Sequence, residues 1–313
     1  MTEISTRTAY GEALAEIGAD KNIVVLDADL QCCTRTDAFA RLYPERAFNI
    51  GIAEANMVGI AAGLATCGKT VFINSFAMFT AGRAFEQIRN SLAYPHLNVK
   101  VIGTHAGVTV GKDGATHQCI EDLAAMRSIP GMMVLSPCDA HETRLVTKAI
   151  ASYDGPCFMR LGRLDVPQCT NMISNYRFEL GKAAKLTDGK DVAIVATGLM
   201  VQEALKAEKI LAAKNIHAMI LDIHCIKPLD EEAILTAAEQ TGCIVTAEEA
   251  NILGGLGAAV AECVCEHHPV PVLRIGIRDQ FGRSGDPYAL MGLYRLTAED
   301  IAEKAEAAVS MKA

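Results

Sequence analysis

The sequence has no tryptophan, few other aromatic residues and no surplus of positive charge. Aromatic side chains make up 5% of the 313 residues, whereas half of the residues are hydrophobic. These proportions are typical of folded domains with aliphatic cores rather than of disordered chains. Lysine and arginine number 29 against 37 acidic residues, which gives a net charge of −8. Since a nucleic-acid-binding surface needs clustered positive charge, the composition argues against one.

Paired cysteine motifs and long apolar runs are also missing. The eleven cysteines are scattered without a CxxC pair, a pattern that favours reduced thiols over a disulfide framework or a zinc site. No run of about 18 apolar residues occurs, and residues 1–10 are polar where a signal peptide would be apolar. We therefore expect no membrane span and a cytoplasmic protein.

Apolar runs of strand length alternate with segments of helical period along the whole chain. This alternation predicts an α/β fold with two doubly wound domains and mainly parallel sheets. We expect the first domain at residues 1–165, a linker at 166–187 where the periodicity fades, and the second domain at 188–313. Strands are predicted at 23–26, 48–50, 70–74, 99–102, 133–135, 156–160, 192–196, 218–222, 243–246 and 272–275. Helices are predicted between them, including one at 53–65 and one at 81–93.

The turn after the first long strand does not suit a dinucleotide. It reads Asp27-Ala28-Asp29-Leu30, whereas pyrophosphate binding needs glycines that let the backbone approach the ligand. Two carboxylates at this turn would repel the pyrophosphate. The Gly254-Gly255-Leu256-Gly257 stretch at a later helix start is a weaker phosphate-binding candidate, because no basic residue lies beside it.

Glu54 begins an alanine- and glycine-rich helix that carries no other charge. In isolation, a glutamate at this position is most simply explained as a complement to the helix dipole. The helix is almost entirely apolar from Met57 to Ala65, so it should be buried and should carry Glu54 into a dry environment. A carboxylate in such a place needs a partner.

The segment NIGIAEANMVGIAAGLA, residues 49–65, resembles the pyrimidine-domain motif of transketolases and deoxyxylulose-phosphate synthases. The resemblance implies a thiamine diphosphate-binding, transketolase-like fold in which Glu54 is catalytic and hydrogen-bonds a nitrogen of the cofactor's aminopyrimidine ring. That contact favours the imino tautomer, which then removes the thiazolium proton. The resemblance also implies that Phe79 stacks on the pyrimidine, supported by Phe76. Gly82 stands where many relatives have a third aromatic residue.

A glycine-rich loop follows the strand at 99–102 and contains His105, Asp113 and His117. Loops at strand ends are where α/β folds bind ligands. A metal site is the alternative, although an open loop without cysteine or a helical histidine pair is a weak metal pattern. The GKDGATHQ sequence resembles a transketolase signature. This implies that His105 and His117 line the substrate channel and donate hydrogen bonds to ketose oxygens, with His117 also moving a proton, and that Asp113 accepts from a sugar hydroxyl.

Two arginines and one further aspartate complete the predicted site. Arg163 follows the last strand of the first domain, where a guanidinium can bind phosphate in a bidentate manner. By resemblance, Arg163 and Arg7 bind the terminal phosphate of the sugar, and Asp29 lies near the thiazolium and substrate. Each arginine could instead form an ordinary surface salt bridge. Cys33 and Thr34 occupy the stretch where the family has a phosphate-contacting serine.

The resemblance extends through residues 226–230 and 247–257 to the family's C-terminal domain, but one family motif is absent. The family's magnesium and diphosphate motif, a Gly-Asp-Gly sequence followed by an asparagine further along the chain, does not occur in this sequence. The chain is therefore identified as the C-terminal half of a split, two-subunit transketolase. We expect a partner chain to carry the diphosphate-binding domain and the Mg2+ ligands, in a 2+2 heterotetramer that is inactive without this partner.

The implied reaction moves a two-carbon ketol unit from a ketose phosphate to an aldose phosphate, with the pentose phosphate pathway as the default setting. The beta subunit of a 2-oxo-acid dehydrogenase is an alternative with the same two-domain plan. A deoxyxylulose-phosphate synthase-like half and a catalytically silent scaffold subunit are further alternatives. The THQ loop and Arg163 favour a phosphorylated polyhydroxy substrate over a short oxo acid.

Overall fold

The computed structural model describes residues 3–173 and 176–312. Two mainly parallel sheets with helices on their faces form the two domains, as the alternating pattern predicts. In the described part of the chain, no helix is long and apolar enough to cross a membrane.

The first domain is built on a seven-stranded sheet flanked by a short two-stranded ribbon. Its strands are β1 (Glu3–Ser5), β2 (Ile23–Asp27), β3 (Ala47–Asn49), β4 (Thr70–Phe76), β5 (Val99–Thr104), β6 (Met133–Leu135), β7 (Cys157–Arg160) and β8 (Asp165–Pro167). Its α-helices are α1 (Thr6–Ile17), α2 (Gln31–Thr34), α3 (Asp37–Leu42), α4 (Glu54–Thr66), α5 (Phe85–Gln87), α6 (Asp122–Arg127) and α7 (Ala140–Ser152). π-helical turns span Met78–Arg83 and Ile88–Ala93, and 3-10 turns span Pro44–Arg46, Val108–Asp113 and Thr170–Met172.

The second domain is built on a five-stranded sheet. Its strands are β9 (Ala184–Thr187), β10 (Val192–Ala196), β11 (Ala218–Asp222), β13 (Ile244–Asn251) and β14 (Val272–Ile277), whereas β12 (Cys225–Lys227) pairs elsewhere. Its helices are α8 (Met200–Ala212), α9 (Glu231–Thr241), α10 (Leu256–His267), α11 (Pro287–Leu293) and α12 (Ala298–Ser310). Asp286 and Thr297 cap the last two helices through their side chains, and Thr297 forms a capping box with Asp300.

The strand order of the first sheet is β12-β6-β7-β5-β4-β2-β3. All its pairs are parallel except β12 with β6. The central strands β2, β4 and β5 are buried along nearly their whole length, which explains why they consist of continuous apolar runs rather than alternating patterns. Each buried Val, Leu or Ile side chain stabilises the fold by about 1.5–3 kcal/mol.

The C-terminal part of the chain completes the first sheet. β12 follows β11 of the second sheet, yet it pairs with β6 of the first, with Cys225 opposite Leu135. Lys227 at the end of β12 donates to the carbonyls of Arg127 and Ile129 at 2.9 and 2.5 Å. One hydrophobic cluster runs through both domains, from Val24 and Val71 to Ile234 and Val260. The two domains are therefore joined by a continuous hydrophobic core and not only by surface contacts.

A buried ion pair also joins the two domains. Arg160, at the end of β7, donates from Nε to Asp122 Oδ2 at 2.8 Å and from Nη2 to the carbonyl of Glu249 at 2.7 Å. Arg160 and Asp122 have almost no solvent-exposed surface. The guanidinium thus connects the first sheet to β13 of the second domain.

Nearly all predicted strands and most predicted helices lie within one or two residues of the observed ones. The continuous helix predicted at 81–93 is wrong, because π-helical turns interrupt it on both sides of α5. Extra residues in a helical turn produce such bulges, which are common near functional sites. β9 lies inside the segment predicted as a linker and adds an antiparallel edge to the second sheet. The join of β12 to the first sheet was not predicted.

We expect Arg160→Met to lower the free energy of unfolding by about 3–5 kcal/mol, since Asp122 would be left as an unpaired buried charge. Replacing both partners, with Arg160→Met and Asp122→Leu, should recover most of the loss because no uncompensated charge remains. Urea denaturation of the full chain measures both variants. A single variant as stable as the wild type would contradict a structural role for the pair.

Candidate active site

The predicted site residues lie at the carboxyl ends of the strands of the first sheet. Glu54 follows β3, Phe76 ends β4, His105 follows β5 and Arg163 follows β7. Because β3, β4, β5 and β7 belong to one parallel sheet, these ends meet along one edge, which is the usual ligand position in doubly wound folds.

Glu54 is buried and has an ionic partner. Its carboxylate accepts from Arg83 Nη1 at 2.8 Å and from the Ser75 hydroxyl at 3.3 Å. Glu54 is 1% exposed, whereas half of the Arg83 side chain is exposed. The partner that a buried carboxylate requires is thus Arg83, held by the π-helical turn Met78–Arg83. Arg83 thus supplies the opposite charge that compensates for the burial of this carboxylate at the start of an apolar helix.

Four rings form a cluster beside this ion pair. Phe76 and Phe79 lie 5.7 Å apart between centroids and are nearly parallel, and His105 stacks on Phe76 at 3.9 Å. His117 meets Phe79 edge-on at 5.4 Å, and the guanidinium of Arg83 lies 4.7 Å from the centre of the Phe79 ring. The structure thereby brings together the two predicted aromatic residues and both predicted histidines.

His105 is buried and its two ring nitrogens are both occupied. Nδ1 lies 3.0 Å from the Thr104 hydroxyl, and Nε2 lies 3.3 Å from Arg7 Nη1. Because a guanidinium only donates, Nε2 must accept and the proton of the neutral ring lies on Nδ1. Burial, together with the nearby Arg7 and Arg163 guanidiniums, lowers the pKa of His105 from 6.5 to about 3. In this arrangement the ring has no free N–H for a substrate, so the predicted donor role requires Arg7 to move away from Nε2.

His117 and Asp113 lie on the glycine-rich loop. His117 Nδ1 is 3.0 Å from the Thr116 hydroxyl, and the exposed Asp113 pairs with Arg163 at 3.5 Å. Gln118 supports the loop, since its side-chain amide nitrogen, which carries two N–H donors, lies 2.9–3.2 Å from the carbonyl oxygens of Val108, Gly111 and Arg283.

The second domain supports the same loop through a buried glutamate. Glu249 Oε1 accepts from the backbone N–H of Thr109 at 2.7 Å. Gly107 has φ +79, and a Cβ at this position would lie 2.3 Å from the Glu249 carboxyl group. Glycine is therefore required by both backbone conformation and space. The C-terminal domain thus helps to position the loop that carries His117.

A basic cleft lies beyond His105. It has a volume of about 380 Å³ and is lined by Arg7, Arg35, Thr109, Val110, Lys112, Arg163, Leu164, Asp165 and Pro287. Arg7 donates to the carbonyl of Cys33 at 3.0 Å and Arg163 donates to that of Val110 at 2.7 Å. The structure thus places both predicted phosphate-binding arginines in one cleft. Four cationic side chains facing one carboxylate suit an anionic ligand.

Asp29 lies at the turn after β2. Its backbone adopts a left-handed conformation with φ 65, and its carboxylate accepts from the side-chain amide of Asn49 at 2.7 Å. Asn49 also accepts from the Gly51 N–H at 2.9 Å. This chain of contacts connects the turn after β2 to the segment that leads into Glu54.

The helix start at Gly254–Gly257 is filled by a side chain of the protein. Glu248 accepts from the backbone N–H groups of Leu256 and Gly257, both at 2.8 Å. Burial is the main cause that raises the pKa of Glu248 to about 7, against the effect of these two donors. Since this carboxylate occupies the anion position, phosphate binding there is not supported.

Within residues 3–173 and 176–312, two groups of buried or partly buried side chains come close enough to share a metal ion. They are Cys138, Asp139 and Cys169, and Cys138, Glu142 and Asp222. Neither group includes a residue of the ring cluster or of the glycine-rich loop. The histidines of the loop are thus better explained as ligands for an organic substrate.

Sequence reasoning missed three contributors to this site. Arg83 is the only charged residue between positions 70 and 85, just as Glu54 is the only one between 47 and 68. Two isolated charges of opposite sign in apolar stretches are a signal for a buried pair. Arg35 and Lys112 carry no comparable signal, because only the fold brings their loops to the cleft.

Comparison with known proteins identifies the family. A model of the pyrimidine-binding domain of transketolase matches residues 2–168, and a model of the transketolase C-terminal domain matches residues 181–301. The chain belongs to the transketolase family. Within that family it corresponds to the C-terminal section, and it spans nearly the full length of the relatives described next.

Three similar proteins are described as a section, a subunit or a split-gene form of a transketolase. A transketolase C-terminal section of Methanocaldococcus jannaschii is 50% identical over 95% of this chain and 94% of its own length. A 6-deoxy-6-sulfo-D-fructose transketolase subunit of Clostridium sp. MSTE9 is 44% identical over 98% of this chain and 95% of its own. A solved structure described as a split-gene transketolase, inactive β4 tetramer, is 48% identical, covers all of both chains and has a TM-score of 0.90. The predicted fold class and the assignment as a C-terminal transketolase subunit are confirmed.

We expect the His105 ring to stay neutral well below pH 6, because burial and two guanidiniums disfavour the imidazolium. In an NMR pH titration, the His105 signals, assigned with His105→Gln, should not move between pH 8 and 5. The unfolded chain binds a proton at this position near pH 6.5, so stability contributed by the neutral ring is lost as pH falls from about 6.5 towards 3. Urea denaturation should therefore show a weaker acid dependence in His105→Gln. A ring that titrates near 6.5 would contradict this electrostatic picture.

Proposed function

We propose that the chain supplies the pyrimidine-activating acid and the sugar-phosphate cleft of a thiamine diphosphate-dependent transketolase. The enzyme moves a two-carbon ketol unit from a ketose phosphate to an aldose phosphate. The observation that carries this proposal is the position of one buried carboxylate, Glu54, beside a pair of phenylalanine rings, with a basic cleft beyond them.

The residues around Glu54 fit an aminopyrimidine ring. Phe79 is partly exposed, so a ligand can reach its ring and stack against it. Glu54 Oε1 has only the 3.3 Å contact with Ser75, which leaves a lone pair for a ring nitrogen. Arg83 pairs with the other carboxylate oxygen, Oε2, at 2.8 Å, so Oε1 can accept that hydrogen bond without loss of the ion pair. When bound, thiamine diphosphate supplies the electron sink for carbon–carbon bond cleavage.

The other residues of the cluster act on the sugar. His117 has Nε2 free of the Thr116 contact, and it donates to a ketose oxygen or moves a proton at that atom. His105 contacts the ketose when Arg7 turns to the phosphate, because the ring then regains an open nitrogen. Asp113 accepts from a sugar hydroxyl, Arg7 and Arg163 bind the terminal phosphate, and Asp29 lies near the reacting centre.

A partner chain completes the site in this proposal. Phe48 and Ile52, which lead into α4, are 45% and 76% exposed, and Gly59, Ile60 and Gly63 present an exposed apolar face of the same helix. Such a patch beside a catalytic residue is typical of a protein interface. We propose an N-terminal transketolase subunit that binds the diphosphate through Mg2+, in a 2+2 heterotetramer. The 48% identical relative described as an inactive β4 tetramer supports the inactivity of the C-terminal chain alone.

Sugar phosphates, such as those of the pentose phosphate pathway, are the proposed substrates. The relative from Clostridium is named for a sulfonated ketose, whose terminus is also a tetrahedral oxyanion. The basic cleft accounts for both kinds of anionic terminus, and it gives no reason to prefer a short oxo acid. We place the enzyme in the cytoplasm, since all eleven cysteines are free thiols and this suits a reducing compartment.

We expect Glu54→Gln to lower kcat of the complex with its partner by about 100-fold or more, since an activating acid of this kind contributes on that scale. Glu299→Gln, an exposed glutamate in the first turn of α12, is the matched control and should have no effect. Exchange of the thiazolium C2 proton for deuterium, followed by NMR, provides a second measurement. Exchange at the wild-type rate in Glu54→Gln would contradict the proposed role.

The chain without its partner should not convert xylulose 5-phosphate and ribose 5-phosphate. Adding the N-terminal subunit should restore turnover, because the diphosphate site is then complete. Appreciable activity of the lone chain would rule out the split-site arrangement.

A further inference from the structure

Arg35 adopts a backbone conformation that an arginine rarely takes. It ends α2 with φ 67 and ψ 16, in the left-handed region. For a residue with a Cβ this conformation costs about 1 kcal/mol or more, and such residues concentrate at functional sites. Glycine would adopt it without strain. An arginine at this position therefore suggests that its side chain is needed there.

Two contacts fix the backbone of Arg35. The buried Asp27 accepts from the hydroxyls of Thr34 and Thr36 at 2.7 and 3.1 Å, which are the residues on either side of Arg35. On α1, Gly11 lets the loop approach closely, since a Cβ there would lie 2.4 Å from the Arg35 carbonyl oxygen. The strained loop is thus held from both the sheet and the helix.

The side chain of Arg35 lines the same cleft as Arg7, Lys112 and Arg163. Arg7 and Arg163 each donate to a main-chain carbonyl, and Arg163 also pairs with Asp113. Among the hydrogen bonds and ion pairs of the described residues, by contrast, the Arg35 guanidinium has none. Five donors facing a cleft without a protein acceptor are suited to a ligand.

The residues that line the cleft carry an excess of positive charge. Arg7, Arg35, Lys112 and Arg163 face one lining carboxylate, Asp165, in a chain whose net charge is −8. Burial and the neighbouring Arg35 and Arg163 charges lower the pKa of Arg7. Repulsion of this kind is relieved when a doubly charged anion enters.

We propose that Arg35 is a specificity-determining residue, which binds the terminal oxyanion of the sugar together with Arg7 and Arg163 and favours a phosphate dianion. The inference rests on the proposed transketolase function and extends it to a residue outside the predicted set. A sulfonate carries a single charge, whereas a phosphate monoester carries nearly two at neutral pH. The positive charge of Arg35 should therefore strengthen the binding of a phosphate more than the binding of a sulfonate.

Steady-state kinetics of the complex with its partner test this role. Arg35→Ala should raise the KM for a phosphorylated ketose about tenfold relative to the KM for an unphosphorylated ketol donor, the effect of losing one charge-assisted contact. Arg35→Lys, which keeps the charge, should recover part of that ratio. The KM for a sulfonated ketose should rise less than the KM for the phosphate. An unchanged ratio in Arg35→Ala would overturn the proposal.

Arg35→Gly separates binding from structure, because glycine relieves the left-handed strain. Its melting temperature should equal or exceed that of the wild type while its KM ratio rises as in Arg35→Ala. Arg295→Gly is the matched control, since Arg295 is an exposed arginine with φ 56 outside the cleft; it should leave the KM ratio unchanged. An Arg35→Gly variant with a wild-type KM ratio would show that the arginine is not used for binding.

A partner-free measurement distinguishes failure of this inference from failure of the proposed function. Isothermal titration of inorganic phosphate into the full chain should show binding that weakens about tenfold in Arg35→Ala. Binding that is equally strong in both proteins, or absent from the wild type, would overturn the role of Arg35. A complex that transfers no ketol unit from any donor would overturn the proposed function instead, and the phosphate titration would still decide the role of Arg35.

Discussion

The contact between Glu54 and Arg83 makes the rest of the site possible. A buried carboxylate at the start of an uncharged helix is costly unless a charged or hydrogen-bonding group lies beside it. The guanidinium supplies that charge from a π-helical turn, and the same turn carries Phe79. One local distortion thus positions both the charge partner of Glu54 and Phe79, the ring that we propose stacks on the cofactor.

Much of the fold was predictable because its signals are local. The central strands are buried on both faces and therefore appear as uninterrupted apolar runs, and the α4 helix is recognisable by its alanines and glycines. The π-helical turns were not predictable, since an α-helical and a π-helical period differ too little over six residues. β12 was missed because its three residues pair with a strand about ninety positions earlier, and nothing in the local sequence indicates such a partner.

The residues of the site likewise fall into those that local sequence motifs reveal and those that only the tertiary fold brings there. Glu54, Phe76, Phe79 and the loop histidines could be assigned because they lie in short segments with recognisable motifs. Their neighbours could not, since Arg35, Lys112 and Glu249 reach the site only through the tertiary fold. The state of His105 also follows from tertiary contacts: both ring nitrogens are occupied and the surrounding charge keeps the ring neutral.

The contribution of β12 to the first sheet has a consequence for the biosynthesis of the chain. While residues beyond 224 are still inside the ribosome, β6 is an uncovered edge strand whose backbone N–H and C=O groups on that side are unpaired. The N-terminal domain thus cannot reach its final form as an independent unit during translation. A gene that was shortened at the boundary between the domains would encode a protein prone to self-association along that edge strand.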